Sequence, residues 1–199
     1  MLNNLELLKP FLDFSDPDSF YYLMILKRKK DQEVPENHQS VRIIKTYSIS
    51  SMEYLNQKWS EIVQLSELFK ARVYINVNPT SHRKVTLQMM KDLASRVFDE
   101  HWDTSRLYDY SMGTAVSNGN IWVVDLDVHD LDTLAGVKES IYSCKPIGDK
   151  ILAVIPTPQG YHLLTKRFSV SEFETKSDAE VKKANPTILY YPDSLESIK

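Results

Sequence analysis

The chain has 199 residues, 42% hydrophobic and 26% charged, with 24 Lys and Arg against 27 Asp and Glu for a net charge of −3. That composition describes one ordinary globular domain and excludes wholesale disorder, a collagen-like chain and a protein that coats DNA by bulk positive charge. The single cysteine, Cys144, excludes an internal disulfide framework; with no apolar run of ~20 residues and no basic leader, a cytoplasmic protein with no membrane partner is expected.

Residues 2–12 read as a short amphipathic helix closed by the polar, Pro-containing stretch 13–19. Residues 19–28 (SFYYLMILKR) read as a buried strand, the polar stretch 31–40 with Pro35 as a loop, and residues 41–49 as the returning strand of a long hairpin. The basic run Lys27-Arg28-Lys29-Lys30 is followed at once by Asp31 and Glu33 and reads as a solvated strand end or loop. A helix capped by Ser50 or Ser51 runs to residue 70, with Met52, Leu55, Trp59, Ile62, Val63 and Phe69 at helical spacing. Residues 72–78 alternate as a strand, and 84–99 form a second amphipathic helix with Leu87, Met90, Leu93, Val97 and Phe98 on one side. An irregular stretch follows to the turn Asn118-Gly119-Asn120.

The second half is strand-rich. Strands are expected at 121–128, 151–155, 161–165 and 187–191, helices at 131–143 and 169–175, a turn at 157–160 and a short segment near 179–181. Asn185-Pro186 reads as a turn into the last strand. Strands and helices mix without regular alternation, so the expected class is α+β with a mixed or antiparallel sheet in a single compact unit over 1–199. Within it an N-terminal α/β half (1–100) meets a second half (119–192) at a seam near 100–118.

The sharpest chemical feature is Asp125-Leu126-Asp127 at the end of an apolar strand. Residues two apart on a strand share a face and stand ~6.6 Å apart. Paired carboxylates repel each other and call for a positive partner, which a divalent metal or a pair of metals supplies. The plainer reading leaves both acids in water past the sheet or capping the next helix, for which Asp130 and Asp132 are better placed. The second feature is Gly160-Tyr161-His162 opening a strand that leads to Lys166 on the same face by parity. Gly160 permits close backbone approach. Asp125, Asp127, His129 and His162 also suit a mononuclear metal hydrolase site. His82 and His101 read as structural or solvent-facing, and Cys144 as a plain buried thiol.

A hydrophobic strand carrying Asp-x-Asp, then a small-x-His strand tip, then a short strand with a third acid resembles the three-motif signature of the archaeo-eukaryotic primase superfamily, of the compact phage and plasmid primase–polymerase kind. Asp125 and Asp127 match the first motif and Gly160-Tyr161-His162 the second; Ala179-Glu180-Val181 is the best match to the third, with Asp178 and Asp193 as competing choices. The resemblance spans roughly residues 70–192. It implies an RRM-like catalytic sheet beside an N-terminal α/β unit, and a metal-dependent nucleotidyltransferase that makes or extends primers in replication of a mobile element. It further implies two Mg²⁺ or Mn²⁺ ions on Asp125, Asp127 and Glu180, with His162 contacting the incoming triphosphate. Arg72, Arg83, Lys166 and Lys182 are candidate phosphate contacts, and Tyr161 a candidate stacking partner for a base. The implied partners are nucleoside triphosphates, a single-stranded DNA template and a helicase or replication accessory protein. The alternatives are a phosphohydrolase or nuclease using the same acids, or a catalytically inactive binding relative.

Overall fold

The structure is a computed structural model that describes residues 1–28, 31, 41–115, 119–183, 186–193 and 195. Lys29 and Lys30 of the basic run, Glu33, Pro35 with the rest of 32–40, Asn118 and Asn185 lie outside the described residues. The fold is mixed α+β with two antiparallel sheets.

The first sheet contains β1 (Leu2–Asn3), β2 (Ser19–Arg28), β3 (Val41–Ile49), β4 (Arg72–Asn76), β5 (Thr80–Ser81) and β10 (Pro186–Tyr191), in the order β1-β10-β4-β2-β3 with β5 paired to the start of β2. The expected helix over 2–12 is broken. Leu2 and Asn3 pair with β10, α1 spans only Leu5–Leu8, and one 3₁₀ turn holds Pro10. The break has a cause: Asn4 is buried, and its side-chain amide donates to Pro156 O and Ile188 O, both at 3.0 Å. Helix α2 (Met52–Phe69) starts where Ser51 Oγ accepts from Tyr54 N at 3.0 Å, and it buries Leu55 and Ile62. Helix α3 (His82–Phe98) is capped by Ser81, whose Oγ accepts from Lys84 N. Helix α4 (Leu107–Thr114) lies in the stretch that reads as irregular; no side chain caps it and Gly113 sits within it, so no local signal announces it.

The second sheet runs β6 (Trp122–Leu126), α5 (Leu131–Ser143), β7 (Ile151–Thr157), β8 (Gly160–Thr165), α6 (Val170–Phe173), β9 (Glu180–Lys182), with strand order β7-β8-β6-β9 and every neighbour antiparallel. Strand β6 is shorter than the expected 121–128. Beyond Leu126 the backbone lies so close to Gly160 that a Cβ there would stand 2.0 Å from Leu126 O and 2.6 Å from Val128 N. Asp130 caps α5, accepting from Thr133 N at 2.7 Å. Past α5, the buried Lys150 ammonium donates to the carbonyls of Tyr142, Cys144, Pro146 and Gly148 at 2.6–3.2 Å, which compensates the burial of its charge. Cys144 is a buried thiol, as expected.

Strand pairing assigns the faces of the second sheet. Val124, Leu126, Leu163 and Val181 pack on α5 and on Phe168 and Phe173. Val123, Ile155 and Leu164 point the other way and share one core with Leu23, Ile25, Val73 and Ile75 of the first sheet. The two halves of the chain do not map onto the two sheets, since β10 returns from the second half to pair with β4 and β1. Asn4 clasps β7 to β10, and Asn78 brackets the Ile121 backbone through both its amide atoms at 2.7 and 3.1 Å. Among the described residues no helix is long and apolar enough to cross a membrane.

Candidate functional site

Cross-strand register brings the three motif segments side by side. Asp125 on β6 stands opposite His162 on β8 and opposite Glu180 on β9. All three share the face that carries Val123 and Leu164, so the polar group closes one end of the main core. His162 Nε2 lies 3.3 Å from Asp125 Oδ1, and His162 Nδ1 lies 2.8 Å from Thr187 Oγ1 on β10 of the other sheet. The Thr187 hydroxyl can donate or accept, so it serves the ring in either tautomer.

Lys182, two residues beyond Glu180 on the same face, reaches Asp125 Oδ2 at 2.5 Å and Glu180 Oε2 at 3.3 Å. Burial pushes the Asp125 carboxyl up, but His162 and the Lys182 ammonium more than offset it and hold the group well below the usual carboxylate range. For Lys182 burial acts downward, and Asp125 then Glu180 outweigh it, so its ammonium is held above the ordinary lysine value. Asp127 lies one residue past β6 and is exposed.

Asp125 and Asp127 form a ridge between two concavities. On one side a cleft of about 350 Å³ is lined by both acids with Thr133, Ser177, Asp178 and Glu180. On the other a narrow recess holds Arg28, Arg72, Tyr74 and His162 against the same two acids. One wall is acidic and the other carries guanidinium groups.

The candidate cations divide clearly. Lys182 joins the acids. Arg72 lines the recess but is buried, with Nε and Nη2 each 2.7 Å from a separate Asp31 oxygen, so its charge is already matched. Arg83 begins α3 near Ser81, which pairs with Ser19 at the far end of β2 from Arg28; nine residues of strand, about 30 Å, separate the two ends. Lys166 is exposed beyond the end of β8, four residues and about 13 Å along the strand from His162. Neither Arg83 nor Lys166 joins the site. Of the competing acids Asp178 lines the cleft, whereas Asp193 pairs with the Met1 ammonium. His129 is exposed, with its ring against Tyr161 and Nε2 3.3 Å from Pro158 O, and His82 stacks on Phe20.

Arg28 is the site residue that the sequence reading leaves among solvated cations. Its guanidinium lies 5.5 Å from the Tyr74 ring centroid and faces the recess. Its position at the end of a buried strand, in the one dense basic run, was the available signal.

Carboxylates are what hard divalent cations take as ligands, so the donor chemistry suits Mg²⁺ or Mn²⁺. The arrangement does not: among the described residues no group of three or more His, Cys, Asp or Glu side chains is placed to hold a metal ion. The Lys182 ammonium stands where a cation shared by Asp125 and Glu180 would sit. Comparison with protein-family models, with curated proteins and with solved structures gives no match to this chain.

Proposed function

We propose that the chain is a primase–polymerase-type domain that binds a nucleoside triphosphate and a single-stranded DNA template and acts as a nucleotidyltransferase. One observation carries the reading: the three short motifs, separated by up to 55 residues (125 to 180), meet on adjacent strands, Asp125 opposite both His162 and Glu180. The strand–helix–strand–strand–helix–strand order with neighbours β7-β8-β6-β9 is that of an RRM-like sheet. The recess beside the acids supports the same reading, since guanidinium groups suit phosphate oxygens. In it Arg28 takes the phosphates and His162 orients them, while Asp125 and Asp127 face the reacting end. Mg²⁺ or Mn²⁺ would have to be held by Asp125, Asp127 and Glu180 and would supply charge neutralisation at a triphosphate, but those side chains do not form such a group while Lys182 pairs with Asp125 and Glu180.

A second reading, a binding relative without catalysis, is favoured by that same Lys182, whose ammonium pairs with both Asp125 and Glu180. Nucleotide incorporation on a primed single-stranded template with Mn²⁺ separates them. The polymerase reading expects incorporation that Asp125→Ala with Asp127→Ala abolishes. Absence of incorporation, together with no Mn²⁺ binding by calorimetry in either the native chain or Lys182→Met, would leave the binding relative standing. Phosphate release without extension would instead mark a phosphohydrolase.

A further inference from the structure

Helix α3 is amphipathic, and it is mounted with its polar side inward. The side turned to the protein holds Val85, Gln88, Met89, Asp92 and Arg96, all buried or half-buried. Its polar members are individually satisfied: Gln88 Nε2 and Ser111 Oγ each donate to Asp92 at 2.7 Å, and Arg96 donates to Asp103 O. The apolar side faces out. Leu87 is 56% exposed, Met90 64%, Leu93 41%, Val97 49% and Phe98 89%. Leu87, Met90, Ala94 and Val97 follow the three–four–three spacing of a coiled-coil seam, flanked by Leu93 and Phe98.

We infer that α3 is the contact of a homodimer, packed antiparallel on α3 of a second copy of this chain. Area, symmetry and charge each point to that occupant. The exposed side chains present on the order of 600 Å² of apolar surface per copy, close to the ~800 Å² per partner of a standard interface. A seam that pairs with itself about a two-fold axis is the commonest form of oligomer contact. In an antiparallel pair that sets Leu87 against Val97 of the second copy, Met90 meets Ala94, and Lys84 comes to the end of the partner helix that Asp99 and Glu100 follow.

The charges settle the direction. Arg83 and Lys84 crowd the N-terminal end of α3 and Asp99 and Glu100 follow its C-terminal end, all exposed and each at the end its own helix dipole disfavours. Antiparallel pairing carries the acids of one copy to the basic, dipole-positive end of the other and relieves both ends. A parallel pair would set like against like.

The test is sedimentation equilibrium on the whole chain up to about 100 μM. A monomer–dimer equilibrium is expected. Leu93→Asp with Val97→Asp should abolish the dimer while circular dichroism stays unchanged and the melting temperature matches that of the native chain at concentrations where the native chain is monomeric, because neither side chain is part of the core. Lys84→Glu alone and Glu100→Lys alone should each weaken association several-fold, and the two together in one chain should restore it. A monomer throughout, a dimer indifferent to the Asp pair, or a double charge reversal weaker than either single change would overturn the inference.

Discussion

Lys182→Met removes the ammonium that joins Asp125 to Glu180 and keeps most of the apolar stem. The side chains of Asp125 and Lys182 are 15% and 22% exposed, so the pair lies largely out of water yet opens on the cleft. Exposed pairs contribute under ~1 kcal/mol, and losing one partner of a buried pair costs ~3–5 kcal/mol. A loss of about 2 kcal/mol at pH 7 is therefore expected. The effect has a pH signature. The Asp125 carboxyl is depressed in the folded chain, so the stability it confers is complete above its unfolded value near ~3.9 and drains away as pH falls toward the folded value. Without Lys182 the depression is smaller. The native chain should lose more stability than Lys182→Met between about pH 5 and pH 2, and the two should converge in acid. Urea unfolding followed by tryptophan fluorescence across that range, with Asp125→Asn and the double variant completing a cycle, reads both quantities. A gap that does not change with pH, or single-variant costs that simply add, would refute the assignment of Lys182 as the counter-charge of Asp125.

Three further outcomes follow from the packing. Gly160→Ala places a Cβ 2.0 Å from Leu126 O, and backbone must move; a loss of about 3 kcal/mol, or a melting temperature lower by roughly 6–12 °C, is expected by calorimetry, and an unchanged melting temperature would contradict the close approach. Lys150→Met leaves four carbonyls without their shared donor and should cost at least ~2 kcal/mol in a urea titration, more than the sub-kcal cost of a typical surface substitution. Ser51→Ala should cost about 1 kcal/mol and Ser51→Asp almost nothing, since either native or acidic side chain can accept from Tyr54 N.

The parts of the site that were legible from sequence are those set by strand parity and order. Asp125, His162 and Glu180 each sit on a short strand, and alternation fixes which face each shows once the strands pair. Asp127 shares that parity, but its strand ends one residue early because Gly160 draws the turn against the backbone, a contact between segments more than 30 residues apart. The fate of the cations was not legible. Arg72 and Arg28 begin and end neighbouring strands, and only the placement of Asp31 decides that one is neutralised and the other faces the recess. For α3 the periodicity gives an apolar stripe but not which way the helix is turned; Ser111 on α4 and the Asp103 carbonyl pull the polar side in. The mixed α+β class was readable from the order of elements, whereas the return of β10 to the first sheet depends on Asn4 and Thr187 finding partners across the seam.

His162 acts as a rivet. Its Nδ1 is hydrogen-bonded to Thr187 while its Nε2 faces Asp125, so a single ring pins β8 of one sheet to β10 of the other and closes the acid cluster at the same time. On the proposed reading, a phosphate oxygen that took Nε2 would leave the Thr187 bond in place, and filling the recess would not have to part the sheets.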